Sequence, residues 1–403
     1  MNATNARHAQ RGQAIVILTF GMIVLLAMAA LIVDAGNAFA QQRVTQNGID
    51  ASSESGAIVL AQNLIAKGDD PLALPPKTDQ DVFNAVVAAA ANNQVATPSA
   101  FYTDFDGNRL DPPIEVGSLG AVPPPLDAYG VEAGGSRSFN TFFGGVFGAL
   151  PGGSGMFQFT ASAKATAIAG QIQQICPADV PCGFLPVTFP TSLTLCDGSN
   201  KQVDFGTDWP LQKAPALTAE YEVIIPLCAT GAGSVGWLDI DPHDPSCNGN
   251  GATFLACEIT TPGNTGLDMP IWIHTITGNT NSVQVQDALN EFIGETVQIP
   301  FYECVGYDVG QVGPSPECDE VSGNPVGNNL YYRIVAVVNF VLDRAYIQAN
   351  NPECNELPGQ PFVGGNGSTG CLKGWFVNAL NTGPLGLPSD FTPWAAYGVQ
   401  LIR

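Results

Sequence analysis

The residues that could do chemistry are few, and the first candidate is a glycine-rich run. Residues 231–236 read GAGSVG and follow a strand-like segment, which fits the GxGxxG pattern of dinucleotide-binding loops. That site needs a helix that opens at the loop, because the helix N-terminus holds the pyrophosphate. Pro242 and Pro245 exclude a helix there. The run therefore predicts a turn, and no cofactor is expected.

A nucleophilic site is equally hard to assemble. Ser234 lies in AGSVG, a near match to the nucleophile elbow GxSxG that lacks the first glycine. Of the three histidines, His8, His243 and His274, the last two could serve as its base. No second feature points to a serine, base and orienting carboxylate. The sequence therefore predicts a protein that is not an enzyme.

Metal ligands cluster in two places. The denser cluster is DIDPHD, with Asp239, Asp241, His243 and Asp244, where calcium is one interpretation and a solvated loop the favoured one. The other is DFDGN, with Asp104, Asp106 and Asn108. Its glycine is at the fourth position and no glutamate closes twelve residues, so a hairpin turn is favoured over a calcium loop. No metal is predicted at either.

The cysteines point to disulfides. All ten lie between Cys176 and Cys371, they contain no CxxC spacing, and the chain has only three histidines, which disfavours zinc. They are Cys176, Cys182, Cys196, Cys228, Cys247, Cys257, Cys304, Cys318, Cys354 and Cys371. An even count beyond an apolar N-terminal segment favours an oxidising compartment. Connectivity stays open; a nearest-neighbour hypothesis pairs Cys176–Cys182, Cys247–Cys257, Cys304–Cys318 and Cys354–Cys371.

Charge and composition exclude a further class of partner and indicate a folded chain. The formal net charge is −22, from 14 basic and 36 acidic residues. A chain this acidic is repelled by phosphates, so no nucleic-acid partner is expected. Charged residues make up only 12%, against about 25% in typical proteins, while 45 glycines and 31 prolines predict many turns. The aromatic content predicts a packed core.

The N-terminal segment is long and apolar enough to cross a membrane. No charged residue lies between Arg11 and Asp34, which is just over the ~20 residues that a spanning helix needs. Arg7 and Arg11 precede the span, and the positive-inside rule then places the N-terminus in the cytoplasm. The alternative is a secretory signal cleaved after Ala40, since Ala38-Phe39-Ala40 satisfies the A-x-A rule.

The helical pattern continues beyond the span. Residues 37–67 contain no proline, and a stop is predicted near Lys67-Gly68. Two stripes run along it. One consists of Gly48, Ser52 and Gly56, small residues that permit close packing. The other, at steps of three, four or seven, consists of Ala40, Val44, Asn47, Ala51, Ile58, Gln62 and Ile65. A frayed linker is the alternative to a packed helix.

These N-terminal motifs carry a family resemblance. The runs RGQAIVIL (11–18), VDAGNAF (33–39) and RVTQNGIDASSESGAIVLA (43–61) resemble the TadE/TadG-like accessory proteins of the tight-adherence (Flp) pilus, and TadG more than TadE. The family pattern matches, in order, at Asp34, Gly36, Arg43, Gln46 and Asp50. The glutamate that marks prepilin processing at the fifth position after Gly12 is replaced by Ile17.

The region up to about residue 170 predicts a small α+β, pilin-like unit, and the resemblance extends over it. Residues 79–92 predict a helix with Val82, Ala85 or Val86, and Ala89 or Ala90 on one face. Strands are predicted around 99–103, 127–139 and 157–170, the last with Phe157, Phe159, Ala161 and Ala163 on one side. Residues 140–150 predict a short helix or turn.

The second half predicts a β-rich domain with one or two helices. The best strand candidates are EYEVIIPLC, MPIWIHTITG, ETVQIPFYECVGYDV and NLYYRIVAVVNFVLDRAYI. One clear helix is NSVQVQDALNEFIGE, capped by Asn281 or Ser282, with Val283, Val285, Leu289 and Phe292 spaced for burial.

Together these features predict an α+β protein with an N-terminal transmembrane and stalk helix, a small pilin-like region and a β-rich, disulfide-containing extracellular domain. The expected boundaries are 1–12 cytoplasmic, 13–33 transmembrane, 34–67 stalk, 68–170 α+β and 171–403 β-rich. The resemblance implies a cell-membrane protein, anchored in lipid through 13–33, whose partners are other pilus or envelope proteins. A surface adhesin is the alternative, and a secreted enzyme comes third.

Overall fold

The chain divides into two compact units in the computed structural model. The first contains Met1–Gly56, Asp79–Ala167 and Leu401–Arg403, and the second contains Ala57–Thr78 and Ile168–Gln400. The structure describes residues 4–66, 76–143, 158–175, 183–190, 192–194, 202–204, 216–219, 221–227, 236–240, 246–247, 251–261, 266–276, 282–307, 330–348, 351–354, 370–377, 380–381, 384–386 and 395–402.

Two helices were predicted in the N-terminal part, and both are present. Helix α1 (Thr4–Ala66) runs without interruption through the apolar span and ends one residue before the predicted stop. Helix α2 (Asp79–Asn92) has the predicted bounds and buries Val82, Val86 and Ala90. Asp79 and Asp81 lie in its first turn, where negative charge stabilises the positive end of the helix dipole.

The strands of the first unit pair in antiparallel order. They are β1 (Ala96–Thr103), β2 (Gly130–Asn140) and β3 (Gln158–Ile172), the last of which continues into the second unit. The β1–β2 register runs from Ala96 opposite Ser136 to Thr103 opposite Gly130. On β3 the predicted alternation holds for Ala161 and Ala163, which are buried, whereas Phe159 on the same side is 53% exposed. Phe157 lies outside the described residues.

Helix α1 approaches β2 and α2 closely through its small residues, as predicted. A β-carbon at Gly48 would lie 2.7 Å from Val95 Cγ2, and one at Gly56 would lie 2.9 Å from Val86 Cγ2. Ser52 is fully buried and donates its hydroxyl to the carbonyl of Gly48 at 2.7 Å. In the other stripe Ala40, Val44, Asn47 and Gln62 are exposed, while Ala51 and Ile58 are half-buried. The small stripe is therefore the packing face, and this segment is not a frayed linker.

Ile49 fills the space that these close contacts create. It packs in one core cluster with Ala90, Val95, Ala133 and Ala163. Opposite it, a β-carbon at Gly135 would lie 2.8 Å from Ile49 Cδ1. Ile49 therefore needs a glycine opposite it on the strand.

A buried carboxylate joins α2 to the β1–β2 connection. Asp79 is completely buried and accepts hydrogen bonds from Tyr102 Oη at 2.6 Å and from the amides of Gly117, Leu119 and Gly120 at 2.7–2.8 Å. Four donors compensate its desolvation. Burial, followed by the hydrogen bond to Asp79, raises the pKa of the Tyr102 hydroxyl, which therefore stays protonated and donates.

The second unit is built on a seven-stranded sheet in the order β5-β12-β13-β11-β9, with β14 between β13 and β8. These strands are β5 (Phe189–Pro190), β8 (Val223–Pro226), β9 (Leu238–Asp239), β11 (Ile271–Thr275), β12 (Thr296–Tyr307), β13 (Leu330–Tyr346) and β14 (Cys371–Phe376). All four predicted strands of this half are among them. The long antiparallel β12–β13 pair forms its centre.

Shorter strands complete the second unit. They are β4 (Gln174–Ile175), which pairs with β10 (Leu267–Asp268); β6 (Ser192–Thr194), which pairs with β7 (Gln202–Asp204); and β15 (Leu380–Asn381), which pairs with β17 (Tyr397–Ile402). Strand β16 (Leu385–Gly386) pairs with the end of β3 through Leu385 and Ile172. Pro352–Cys354 forms a single turn of 3-10 helix.

Two helices cover one face of this sheet. Helix α3 (Gly251–Thr260) contributes Leu255 and Ile259 to the core, and α4 (Val283–Asn290) contributes Val285 and Leu289. They meet alternate residues of β13, including Val338 and Phe340. The opposite face forms a second cluster around Tyr302, Tyr332 and Ile334. Burial on both faces explains the nearly continuous apolar sequence of β13.

The sequence prediction was right for α4 and missed α3. Ser282 caps α4 and accepts from the amide of Val285, but Val283, which was expected to be buried, is 64% exposed. Val283 is the first helical residue, and the sheet covers the face one turn away. Helix α3 is short, follows a Gly-rich run and ends in β-branched residues, so its local propensity is weak. Tertiary packing and a disulfide hold it.

Two disulfides of the nearest-neighbour hypothesis are present, Cys247–Cys257 and Cys354–Cys371. The first joins α3 to the segment before it, and the second joins the 3-10 turn to β14. Cys304 is also disulfide-bonded. The other cysteines, Cys176, Cys182, Cys196, Cys228 and Cys318, lie outside the described residues.

A buried lysine lies beside the second disulfide. Lys373 on β14 has a side chain only 8% exposed, and its Nζ lies 3.8 Å from a carboxylate oxygen of Glu222 and 3.7 Å from one of Glu353. Burial raises the pKa of Glu222, Lys373 opposes that rise, and neighbouring Asp343 adds to it. Lys373 thus compensates negative charge that would otherwise be desolvated alone.

The close helix packing predicts opposite effects at two kinds of glycine. Changing both Gly48 and Gly56 to alanine should lower the free energy of unfolding by about 2 kcal/mol, because buried valines block the new methyl groups. Gly36→Ala is the matched control: nothing lies within 4 Å of its β-carbon position, so it should raise stability by up to about 1 kcal/mol. Urea unfolding in detergent measures the free energy of unfolding of the double variant and of Gly36→Ala. Equal changes in the two would contradict this packing.

The buried ion pairs predict a strong dependence on Lys373. Lys373→Ala leaves Glu222 buried beside Asp343 and should lower the free energy of unfolding by about 3 kcal/mol. Lys164→Ala is the comparison: this lysine is 72% exposed, pairs with Glu132 at 3.5 Å, and should change stability by less than about 1 kcal/mol. Thermal unfolding of the two variants measures both losses of stability. Similar losses would show that Lys373 does not compensate a buried carboxylate.

Candidate membrane anchor and helix-packing site

The apolar part of α1 is uncovered by the rest of the protein. It is the one helix, within the described part of the chain, that is long and apolar enough to cross a membrane, and none of its apolar window is buried. Side chains such as Leu18, Leu25 and Leu31 are 67–71% exposed. At about 1.5 Å per residue, residues 15–33 extend for about 28 Å, close to the ~30 Å thickness of bilayer hydrocarbon. A helix of a soluble core would be covered.

Asp34 marks the end of the apolar part and binds a distant loop. Its Oδ1 accepts from the backbone amides of Phe142 at 2.8 Å and Phe143 at 3.1 Å. One turn further, Asn37 Nδ2 donates to the carbonyl of Asn140 at 3.2 Å. The end of the β2 strand is therefore held at the height where α1 changes from apolar to polar.

Two glutamines of α1 bind successive outward carbonyls of β3. Gln42 Nε2 donates to the carbonyl of Ser162 at 2.9 Å, and Gln46 Nε2 donates to that of Lys164 at 3.1 Å. Four helical residues rise about 6 Å and two strand residues about 6.6 Å, so the two spacings match. The helix thereby donates hydrogen bonds to two carbonyls of β3.

The five family-motif positions have different surroundings. Gln46 also donates to Asp50 Oδ1 at 2.7 Å, and Asp50 is 9% exposed. Asp34, Gln46 and Asp50 therefore serve internal contacts. Arg43 is exposed, and the position of a Gly36 β-carbon has no neighbour within 4 Å. These last two residues leave one side of the helix open where it emerges from the apolar part.

A small charged cluster lies on the sheet beside this helix. Glu132 on β2 accepts from Arg109 Nη2 at 2.5 Å and lies 3.5 Å from Lys164 Nζ. The hydrogen bond from Arg109, and then the charges of Arg109 and Lys164, lower the pKa of the Glu132 carboxyl. The guanidinium of Arg109 also lies 3.8 Å from the ring centre of Phe101. These contacts use the exposed face of β2.

Only some of the residues considered for chemistry lie within the described part of the chain. Asp104 accepts from the amide of Asn108 at 2.8 Å within a tight hairpin that has Gly107 at positive φ, as the turn interpretation predicted. The described residues contain no group of three or more potential metal ligands. Asp239 lies 3.8 Å from His274, while Asp241, His243, Asp244 and Ser234 lie outside the described residues. Gly236 leads into strand β9, not into a helix.

Sequence reasoning missed the distant partners of this helix. Phe142, Phe143, Ser162 and Lys164 lie more than 100 residues from the α1 side chains that they bind. Gln42 and Gln46 are four residues apart and therefore lie on one side of the helix, which was the available signal. Their partners are backbone amides and carbonyls. Because almost every residue type carries these groups, the sequence does not identify them.

The chain is thus an α+β protein with a long, exposed apolar N-terminal helix, β-rich sheets and at least two disulfides. A family model described as "Tad: Putative Flp pilus-assembly TadE/G-like" matches residues 12–58. The match confirms the N-terminal resemblance and ends in α1, short of residue 170. No curated protein matches the chain, and no solved structure matches it.

The Asp34 contacts predict a local effect of its removal. Asp34→Ala removes the acceptor of two loop amides, so amide hydrogen exchange at Phe142 and Phe143 should accelerate, with a stability loss of about 1 kcal/mol. Asp106→Ala, an exposed turn carboxylate, is the control and should leave these amides unchanged. Unaltered exchange in Asp34→Ala would show that the carboxylate does not hold the loop.

Proposed function

We propose that this chain is a non-enzymatic, membrane-anchored envelope protein that takes part in Flp (Tad) pilus assembly or forms a minor surface component of the pilus. The observation that carries the proposal is the family match, which covers the apolar span and the packed part of α1 together. The matched residues, 12–58, all lie within the single helix α1. The uncovered apolar side chains support the lipid anchor.

The anchor is proposed to stay attached to the outer region. Helix α1 passes through Ala38–Ala40 without a break, and the residues on both sides of this point, Asn37 and Gln42, bind the strands. A cut after Ala40 would remove the Asp34 and Asn37 contacts from the folded unit. With Arg7 and Arg11 before the span, the N-terminus is proposed to be cytoplasmic and residues after 33 to be outside.

Partners are proposed to meet the open side of α1. Gly36 and Arg43 are family-motif positions that make no close internal packing, in contrast to Gly48 and Gly56. A glycine without a neighbour lowers helix stability by about 1 kcal/mol relative to alanine, so its presence is better explained by contact with another anchor helix. The boundaries expected at 12, 33, 67 and 170 are retained as part of this proposal.

An adhesin is the second candidate, and the second unit favours it. The β-rich, disulfide-bonded part of the chain lies entirely outside the matched residues. A binding module carried on a family anchor would have this distribution. The adhesin proposal differs from the first in predicting that pili still form when the chain is deleted.

The pilus role is tested by deletion and complementation in the source bacterium. Deletion should abolish surface pili seen by electron microscopy, and the wild-type chain should restore them. Gly36→Leu should fail to restore them, since the leucine fills the open side of α1, whereas Ala35→Leu, also exposed, should succeed. Protein levels and the mature N-terminus are measured in each strain.

Three outcomes contradict parts of this proposal. Normal pili after deletion, with lost surface adhesion, would favour the adhesin. A mature chain starting at Gln41 would exclude the permanent anchor. Equal behaviour of the Gly36→Leu and Ala35→Leu variants would show that the open side of α1 has no partner.

A further inference from the structure

We propose that the membrane-proximal end of the first unit is a second lipid-contact site, in which Phe142, Phe143 and Phe39 rest in the headgroup layer beside the end of the apolar span. This inference rests on the lipid anchoring in the proposed function and extends it to the folded part. The ligand is the phospholipid surface of the leaflet that α1 leaves at Asp34.

The loop that carries Phe142 and Phe143 is fixed at the height of the membrane surface. Both amides bind the Asp34 carboxylate, and Asp34 directly follows the last apolar residue of the span. The loop is therefore attached to the helix residue that marks the hydrocarbon boundary. Its position relative to lipid follows from that attachment.

The side chains at this height are large, apolar and uncovered. Phe142 is 70% exposed, Phe143 41% and Phe39 74%. Phe159 is 53% exposed and stacks on Phe139, three residues before Phe142, with ring centres 6.2 Å apart. Exposure of these phenylalanine side chains to water is unfavourable, whereas the membrane interface accommodates aromatic rings.

The vertical distances agree with a headgroup location. The layer outside the hydrocarbon is about 5–7 Å thick on each side. The backbone of Phe39 lies about 9 Å beyond Val33 along α1, and helical side chains lean toward the helix N-terminus, which here is the membrane side. The Phe39 ring therefore points down into the layer that Phe142 and Phe143 already occupy.

The apolar surface is continuous with the lipid-facing span. The large apolar side chains of α1 from Ile15 to Val33 are exposed, and Phe39, Phe142 and Phe143 lie just beyond the end of that series. Lipid is therefore the occupant favoured over a protein partner. A tilt of the helix would be restricted, because the unit has contact with the surface beside the helix as well as through it.

Photocrosslinking of the full chain in phospholipid nanodiscs tests the site. p-Benzoylphenylalanine replaces one residue at a time, at Leu25 in the span, at Phe142 in the loop and at Leu126 as the matched control. Leu126 is 78% exposed and lies four residues before Gly130, at the end of β2 that packs near Gly56. Gly56 is about 33 Å along α1 from Asp34. The nanodiscs contain phosphatidylethanolamine and phosphatidylglycerol, and mass spectrometry detects lipid adducts.

The expected result is adducts at Leu25→p-benzoylphenylalanine and Phe142→p-benzoylphenylalanine, with yields several-fold above the Leu126 control. Adducts in the span but only control-level yield at position 142 would overturn the surface contact and leave the anchor intact. Absence of adducts in the span would overturn the anchoring on which both proposals rest. A protein crosslink at position 142 in place of lipid would assign the patch to a partner chain and overturn this inference.

Discussion

The close approach of α1 to its neighbours is the constraint on which the first unit depends. Gly48 and Gly56 leave no room for a side chain against Val95 and Val86. Because the helix lies this near, Ile49 reaches the shared core and Gln42 and Gln46 reach the carbonyls of β3. A helix held a few ångströms further away would lose the apolar contacts and the hydrogen bonds together.

The same helix contains an exposed apolar part and a part packed against strands, and its backbone allows this. All hydrogen-bonding groups inside a helix are paired internally, so α1 can leave lipid and enter a protein interface without a break. Only the side chains change: apolar up to Val33, a carboxylate at Asp34, then amides that bind strands. The proposed lipid anchoring and the contact with the folded unit would therefore belong to one continuous helix, as the proposed assembly role requires.

The second unit is held by different means. Its sheet is covered on one face by two short helices, and a disulfide fixes the weaker of them. The buried Lys373 lies between Glu222 and Glu353 beside the other disulfide. Such a unit tolerates sequence change in its loops as long as its core and crosslinks remain. This is consistent with a family match that ends within α1.

The sequence by itself determined what depends on local pattern: the apolar span, the bounds of α2, the long strands and the capped helix α4. Their periodicity, caps and missing prolines are properties of neighbouring residues. Tertiary structure decided that α3 forms, that Val283 stays exposed and that the Gly48 stripe is the packed side of α1. It alone brought Asp34 to Phe142 and Phe143, because a hydrogen bond to a distant backbone amide depends on the path of the chain and not on the type of residue that supplies it.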